Sequence, residues 1–220
     1  MIAKISRIGP VDAVFSAPPS KSYTHRALIA AALASGRSRI TSPLRAIDTE
    51  LTARGLKSLG VPIEWRPEEI TIAGCGGEFP TSGEVTIDCG NSGTTLRLLA
   101  STALLAPHTV ALTGSARMLE RPVGPLVDAL QALGGDVTFV GRPGYPPIQI
   151  AGRLRGGKAE IDGSMSSQFI SSILMAAPYA DEDVALTLPA PPASRSYLDV
   201  TMDVMLRFGA RIERRDYDWF

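Results

Sequence analysis

Three short stretches of the sequence place hydroxyl, amide and glycine residues immediately before an apolar, helix-like segment. They are Ser20-Lys21-Ser22, Asn91-Ser92-Gly93-Thr94 and Ser164-Met165-Ser166-Ser167-Gln168. A helix N-terminus offers unpaired N–H groups and about half a positive charge, and hydroxyl groups add further donors. Each stretch alone is also typical of ordinary helix capping. Together, with Lys21, Arg26 and Arg97 nearby, they predict aligned helix ends that bind a phosphorylated anion.

The composition disfavours several other kinds of protein. The chain has 220 residues, 45% of them apolar, and its 22 basic and 22 acidic residues give a formal net charge of zero. Bulk attraction to nucleic acid or to a membrane surface is therefore disfavoured, and an anion site must be local. The first residues, MIAKISRIGP, contain no apolar signal core, and the apolar residues 98–112 are interrupted by Pro107. Because Cys75 and Cys89 form no CxxC pair, we expect a cytoplasmic protein with reduced thiols and no membrane partner.

A unit of about 74 residues recurs three times along the chain. The segments LKSLGVPIEW, LQALGGDVTF and MLRFGARIER each end a helix at a glycine, and Gly60, Gly134 and Gly209 are 74 and 75 residues apart. Glycine suits the left-handed conformation that follows a helix. The segments around Asp88 and Asp162, also 74 residues apart, each end a strand that leads into a polar loop, and AVFSA takes that place in the first unit.

The repeated unit predicts the order strand, helix, strand, helix, strand, strand. Second strands are expected at SRIT, TVALT and VALTL, and second helices begin near Asp48, Arg121 and Ser196. ITIAG and IQIAG complete the first two units, whereas RIERRDYDWF ends the third without a final strand. The first helices are apolar nearly all round and rich in Ala and Ser. We therefore predict an α/β fold of three βαβαββ units (about 14–80, 81–155 and 156–220), with three buried parallel helices about a pseudo-threefold axis.

The polar loops and their surroundings resemble the 5-enolpyruvylshikimate-3-phosphate synthase family. The matching segments are PPSKSYTHRALIAAALASG, DCGNSGTTLRLL, ARMLERPVGPLVDAL, GSMSSQFISSILMAAP and SRSYLDVT, which cover nearly the whole chain in the family's order. The resemblance implies transfer of the enolpyruvyl group of phosphoenolpyruvate to the 5-hydroxyl of shikimate 3-phosphate, with release of phosphate, in aromatic amino-acid biosynthesis. It also implies a monomer that needs no metal and no organic cofactor, and that binds no nucleic acid.

The same resemblance implies roles for individual residues. The shikimate 3-phosphate site comprises Lys21, Ser22, Arg26, Ser166, Ser167, Gln168, Ser194 and Tyr197. The phosphoenolpyruvate site comprises Lys21, Asn91, Gly93, Thr94, Arg117 and Gln168. Lys21 touches both substrates and is the implied catalytic residue. Arg97 resembles a family arginine, but its spacing equally fits a salt bridge on a helix face, and Asp48 is interpreted as a helix cap.

The resemblance covers one half of the family's architecture. It implies that residues 14–220 form the N-terminal domain and that residues 1–13 are a strand segment of a second domain. That second domain carries the acidic residue proposed as base, further arginines and another lysine. No counterpart of these residues occurs here, so we expect a truncated chain that is inactive by itself.

The sequence disfavours two alternative functions. A UDP-amino-sugar enolpyruvyl transferase would have a cysteine near Arg117, where the sequence instead has Gly114-Ser115-Ala116-Arg117-Met118. A non-catalytic phosphate- or RNA-binding repeat module is disfavoured by the zero net charge and by the aromatic content of 6%.

Overall fold

The computed structural model describes residue 4, residues 9 and 10, and residues 12–220. The α-helices of this part are α1 (Lys21–Leu33), α2 (Ile47–Ser58), α3 (Gly93–Ala103), α4 (Gly124–Ala132), α5 (Ser167–Ala176) and α6 (Arg195–Arg207). The strands are β1 (Ser35–Thr41), β2 (Ile63–Trp65), β3 (Glu69–Cys75), β4 (Val85–Asp88), β5 (Val110–Thr113), β6 (Gly135–Phe139), β7 (Ile148–Gly152), β8 (Gly157–Glu160) and β9 (Val184–Thr187). Within the described residues, no helix combines the length and the apolar character needed to cross a bilayer.

The second unit shows the predicted order of elements in full. Strand β4 is joined through α3 to its parallel neighbour β5, and after α4 the hairpin β6–β7 returns so that β7 lies antiparallel beside β5. The sheet order is therefore β4-β5-β7-β6. Val110 pairs with Val85 on one side and with Ile150 on the other, so the central strand is buried between two apolar neighbours.

The first unit repeats this sheet as β1-β3-β2, without a counterpart of β4. The strand predicted at AVFSA is wrong: residues 12–20 are not part of a sheet, and Val14 and Phe15 are exposed. An isolated extended segment is not a strand until a neighbour pairs with its backbone, and Pro18 and Pro19 remove two donors directly after it. The predicted segment at residues 1–13 lies largely outside the described residues.

As predicted, no regular strand follows β9 among the described residues, but a short isolated pairing takes its place. The backbone of residues 218–220 runs antiparallel to β9, with Leu186 N donating to Phe220 O at 2.9 Å and Phe220 N donating to Leu186 O at 3.0 Å. Residues 218–220 thus take the place beside β9 that β7 has beside β5. Phe220 is buried, and its packing holds a segment that lacks the regular apolar alternation of ITIAG or IQIAG.

The glycines that mark the repeat end their helices as predicted. Gly60, Gly134 and Gly209 have φ values of +89°, +88° and +87°, the left-handed conformation in which residues with a Cβ are strained. This conformation turns the chain from α2 and α4 into the hairpins of the first two units.

The buried helices run in the same direction. Thr94 and Gln168, which are 74 residues apart, are hydrogen bonded at the N-terminal ends of α3 and α5. Further along the same helices, the Ser101 and Ser172 hydroxyls meet at 2.7 Å, a close approach that small side chains permit. Helix α1 contacts α3 less extensively and is flanked by α2 and α6. The N-terminal turns of α1, α3, α5 and α6 consequently open into one cleft.

Candidate active site

The cleft at the helix N-termini has a volume of about 410 Å³. It is lined by Lys21, Ser22, Arg26, Asp48, Asn91, Gly93, Thr94, Arg97, Arg121, Met165, Ser166, Ser167, Gln168, Ala193, Ser194 and Tyr197. All the residues predicted from the sequence lie here except Arg117. Segments more than 170 residues apart in the chain therefore meet at one site because each begins a repeated helix.

A larger groove lies elsewhere and has different chemistry. It has a volume of about 680 Å³ and lies beside the first sheet, near Arg37, Lys57 and Arg66. Arg66 is paired with Glu64 at 2.9 Å, and Lys57 is at the C-terminal end of α2, where the helix dipole is negative. This groove contains none of the predicted site residues, so the smaller cleft is the candidate site.

Arg121 occupies the position in the cleft that was predicted for Arg117. Arg117 is exposed and immediately precedes a 3-10 helix over Met118–Glu120, whereas Arg121, after that turn, lines the cleft. A Cβ added at Gly93 would lie 2.5–2.8 Å from the Arg121 guanidinium. Glycine at the start of α3 thus allows the guanidinium to lie directly against the helix end. Arg121 was not predicted because the second helix of this unit was expected to begin there, whereas α4 begins at Gly124.

Lys21 and Asp48 form an ion pair at the edge of the cleft. Lys21 Nζ lies 2.8 Å from Asp48 Oδ2, and both side chains are partly exposed. The interpretation of Asp48 as a helix cap is wrong, because the cap of α2 is Ala46 and Asp48 lies in the first helical turn. This ion pair orients the Lys21 amine at the edge of the cleft and leaves it exposed to solvent.

Arg26 is a cation that the protein surrounds with neutral acceptors. It is 2% exposed, and it donates from Nε to Thr201 Oγ1, from Nη2 to Ser171 Oγ and Tyr197 O, and from Nη1 to Ser22 O. Burial lowers its pKa to about 10. One Nη1 proton has no acceptor in these bonds, so an anion in the cleft would complete the set.

Gln168 is oriented by a network that resolves the open choice for Arg97. Arg97 Nη1 donates to Gln168 Oε1 at 3.0 Å and to Ser166 Oγ at 3.3 Å, and it forms no ion pair with a carboxylate of the described residues. The salt-bridge interpretation of Arg97 is therefore wrong. Gln168 Nε2 donates to Thr94 Oγ1 at 3.0 Å, which leaves its second amide proton available. Burial, with a contribution from Arg121, lowers the pKa of Arg97 to about 10.

The serines at the helix ends divide into two kinds. Ser166 caps α5 by accepting from Gln168 N, so the capping interpretation holds for this residue, while its hydroxyl proton remains available. Ser194 precedes α6 without any capping hydrogen bond from its side chain. The Ser194 hydroxyl is consequently not committed to its own helix.

The electrostatics of the cleft are strongly positive although the chain is neutral overall. Four cationic side chains line it against a single carboxylate, that of Asp48: Lys21, Arg26, Arg97 and Arg121. Four helix N-termini add their dipoles in the same direction. Among the described residues, no group of three or more His, Cys, Asp or Glu side chains could hold a metal ion. The positive charge of the cleft therefore comes from side chains and helix N–H groups of the protein itself.

The repeated βαβαββ fold and this cationic cleft define an enolpyruvyl transferase-like domain. Residues 5–219 match the family described as EPSP synthase (3-phosphoshikimate 1-carboxyvinyltransferase), and the chain belongs to that family.

Individual relatives agree with this assignment. The chain is 77% identical to 3-phosphoshikimate 1-carboxyvinyltransferase of Methanoculleus marisnigri over 220 residues, which is 100% of this chain and 52% of the relative. It is 40% identical to the enzyme of the same name from Photobacterium profundum, covering 97% of the chain and 50% of the relative. The EPSP synthase structure from Acinetobacter baumannii aligns with a TM-score of 0.81 at 28% identity, over 93% of this chain and 45% of that one. The chain thus spans about half the length of the curated relatives that it matches.

Proposed function

We propose that this chain supplies the substrate-binding half of a 3-phosphoshikimate 1-carboxyvinyltransferase. The observation that supports this most directly is the cleft of about 410 Å³ on which four cations and four helix N-termini converge. Two substrates that both carry phosphate and carboxylate groups repel each other, so their approach requires fixed positive groups. We further propose that residues 14–220 are the N-terminal domain of a monomeric cytoplasmic enzyme without a nucleic-acid partner.

The shikimate 3-phosphate site is assigned to the side of the cleft between α1, α5 and α6. Ser22 and Arg26 lie one turn apart on α1 and would hold the carboxylate, with the unused Nη1 proton of Arg26 as a charge-assisted donor. The hydroxyls of Ser166, Ser167 and Ser194 would hold the 3-phosphate, beside the ring of Tyr197. The free hydroxyl of Ser194 supports this assignment, since it has no capping role to give up.

The phosphoenolpyruvate site is assigned to the N-terminus of α3. Asn91, Gly93 and Thr94 would surround the phosphate from the loop side, and Arg121 would face it across Gly93. Gln168 lies between the two sites, with its orientation fixed by Arg97 and Thr94. Lys21, at the other edge of the cleft, would contact both substrates.

The proposed reaction has two balanced steps. The 5-hydroxyl oxygen of shikimate 3-phosphate bonds to C2 of phosphoenolpyruvate, while the hydroxyl proton leaves and C3 gains a proton. Phosphate then leaves C2 and a proton leaves C3, which forms the enolpyruvyl ether. We assign a part of this proton transfer to the amine of Lys21, which Asp48 orients. The remaining acid and base groups are proposed to lie in the half that the relatives have in addition.

The binding assignment can be tested on this chain by calorimetry with shikimate 3-phosphate. We expect weak binding and no turnover by the 220-residue chain alone. Ser194→Ala removes one hydroxyl donor to a phosphate and should weaken binding by about 10- to 100-fold, because a hydrogen bond to a charged group contributes about 1.5–3 kcal/mol. Ser196→Ala is the matched control, because this exposed serine of the same helix does not line the cleft.

Two results would contradict the proposal. Absence of heat at millimolar shikimate 3-phosphate would show that these residues do not form the site by themselves. Equal weakening by Ser194→Ala and Ser196→Ala would remove Ser194 from the phosphate site, since Ser196 does not line the cleft.

A further inference from the structure

A chain of buried hydrogen bonds lies behind the cleft and joins three helices. His25 Nδ1 of α1 is 2.7 Å from Thr52 Oγ1 of α2, which is 2.8 Å from Thr95 Oγ1 of α3, which is 2.7 Å from Ser92 Oγ. All four residues are no more than 1% exposed, and none of them lines the cleft. We call this set the His25–Ser92 network.

The network is attached to groups of the cleft at two points. Thr95 Oγ1 donates to the main-chain oxygen of Asp48 at 3.1 Å, and the side chain of the same Asp48 holds Lys21. Ser92 caps α3 by accepting from Thr95 N at 3.2 Å, which fixes the turn that carries Gly93 and Thr94. The two ends of the cleft that face each other across the proposed phosphoenolpyruvate site are therefore joined through the protein interior.

His25 closes the buried end of this network. Burial lowers its pKa to about 4, so the imidazole is neutral near pH 7. Its Nε2 has no hydrogen-bond partner among the described residues. A buried N–H without an acceptor is rarer in proteins than an acceptor with a free lone pair, so Nδ1 carries the proton and donates to Thr52. The hydroxyl protons of Thr52 and Thr95 then point onward toward α3 and Asp48.

We propose that the His25–Ser92 network positions the start of α3 against the Lys21–Asp48 pair, with His25 as its terminal donor. Hydroxyl and imidazole N–H groups in an apolar core are unfavourable unless these donors are paired, and their pairing here fixes one arrangement. This proposal rests on the proposed function only for the identity of the ligand. The coupling of the three helices can be measured in the absence of any ligand.

The alternative is that these side chains only fill the core. Thr102→Val separates the two possibilities, since Thr102 is an equally buried threonine of α3 whose hydroxyl donates only to Leu98 O of its own helix. Thr52→Val removes a central hydroxyl of the network and, like Thr102→Val, replaces that hydroxyl by a methyl group. Both changes should reduce stability by similar amounts, so stability alone does not distinguish them.

The ligand-free test uses NMR spectra of the 220-residue chain. In Thr52→Val we expect the backbone amide resonances of Gly93 and Thr94, which lie on another helix, to shift together with the Lys21 amine resonance. Thr102→Val should leave these resonances unchanged. His25→Asn, which can retain an N–H near the Nδ1 position, should stay closer to the native spectrum than His25→Leu does.

The ligand test is a titration with phosphoenolpyruvate. Thr52→Val should weaken binding by about 10-fold through misplacement of the contacting groups, whereas Thr102→Val should bind like the native chain. Unchanged Gly93 and Thr94 resonances in Thr52→Val, or equal effects of the two threonine changes, would overturn the network. A native chain that binds no phosphoenolpyruvate would count against the proposed function alone, because the ligand-free spectra decide the network.

Discussion

Arg117 and Arg121 have the same charge and lie four residues apart, yet only Arg121 lines the cleft. The 3-10 helix over Met118–Glu120 lies between them. Because a 3-10 helix has three residues per turn, residues four apart do not lie on the same face of it. On a regular helix, two residues four apart would share a face, and either arginine would be acceptable. The local geometry of these three residues therefore decides which of the two arginines lines the cleft.

This difference predicts unequal effects of two alanine substitutions on phosphoenolpyruvate binding. Arg121→Ala removes the guanidinium beside Gly93 and should weaken binding by about 10- to 100-fold, the range for a charge-assisted hydrogen bond to an anion. Arg117→Ala is the matched control and should have little effect, because its side chain is exposed outside the cleft. Calorimetry with both variants checks this, and a larger loss in Arg117→Ala would reverse the assignment.

At the scale of the elements, the left-handed conformation of the glycines that follow α2, α4 and α6 predicts that replacing one of them destabilises the fold more than replacing an ordinary loop glycine. Gly209 has φ of +87° and no atom within 4 Å of an added Cβ, so Gly209→Ala should destabilise the fold by about 1 kcal/mol through backbone strain alone. Gly141 is equally open but does not have a left-handed φ, so Gly141→Ala should be neutral or slightly stabilising. Urea unfolding of both variants checks the difference, and equal midpoints would contradict it.

The helices could be predicted from the sequence better than the strands could. Caps and helix-ending glycines are local, so the starts of α1 and α5 and the role of Gly60 follow from a few neighbouring residues. A strand depends on a partner distant in the chain. AVFSA has an acceptable strand pattern but pairs with none of the described residues, whereas residues 218–220 have a poor pattern and pair with β9.

The same distinction applies to the site. Its hydroxyl groups and Lys21 were predictable because they lie where the repeated loops meet their helices, whereas the role of Arg26, one turn into α1, followed from the family resemblance. The roles of Asp48, Arg97 and Arg121 depend on contacts between different units, which no local spacing specifies.

At the scale of the whole molecule, burial of polar groups beside the cleft lowers the free energy of unfolding unless those groups are hydrogen bonded or neutral. Arg26 is surrounded by acceptors and His25 is kept neutral, so the protein stabilises one charged and one uncharged group in the same helix. Near neutral pH neither arrangement requires a proton to move. At acidic pH, His25 is protonated in the unfolded chain but stays neutral in the folded chain, so the free energy of unfolding depends on pH.

Stability should therefore depend on pH in a window set by His25. Its pKa falls from 6.5 to about 4 on folding, mainly through burial, with Lys21 and Arg26 lowering it and Asp48 opposing them. The unfolded state binds more protons between these values, so the free energy of unfolding should fall by about 3 kcal/mol as the pH decreases from 6.5 to 4. Above pH 6.5 this contribution is constant. His25→Asn should be less stable at pH 7 because of the smaller side chain, but its free energy of unfolding should vary less across the window. Urea unfolding at half-unit pH intervals measures both curves, and parallel curves would show that His25 is not the group that titrates.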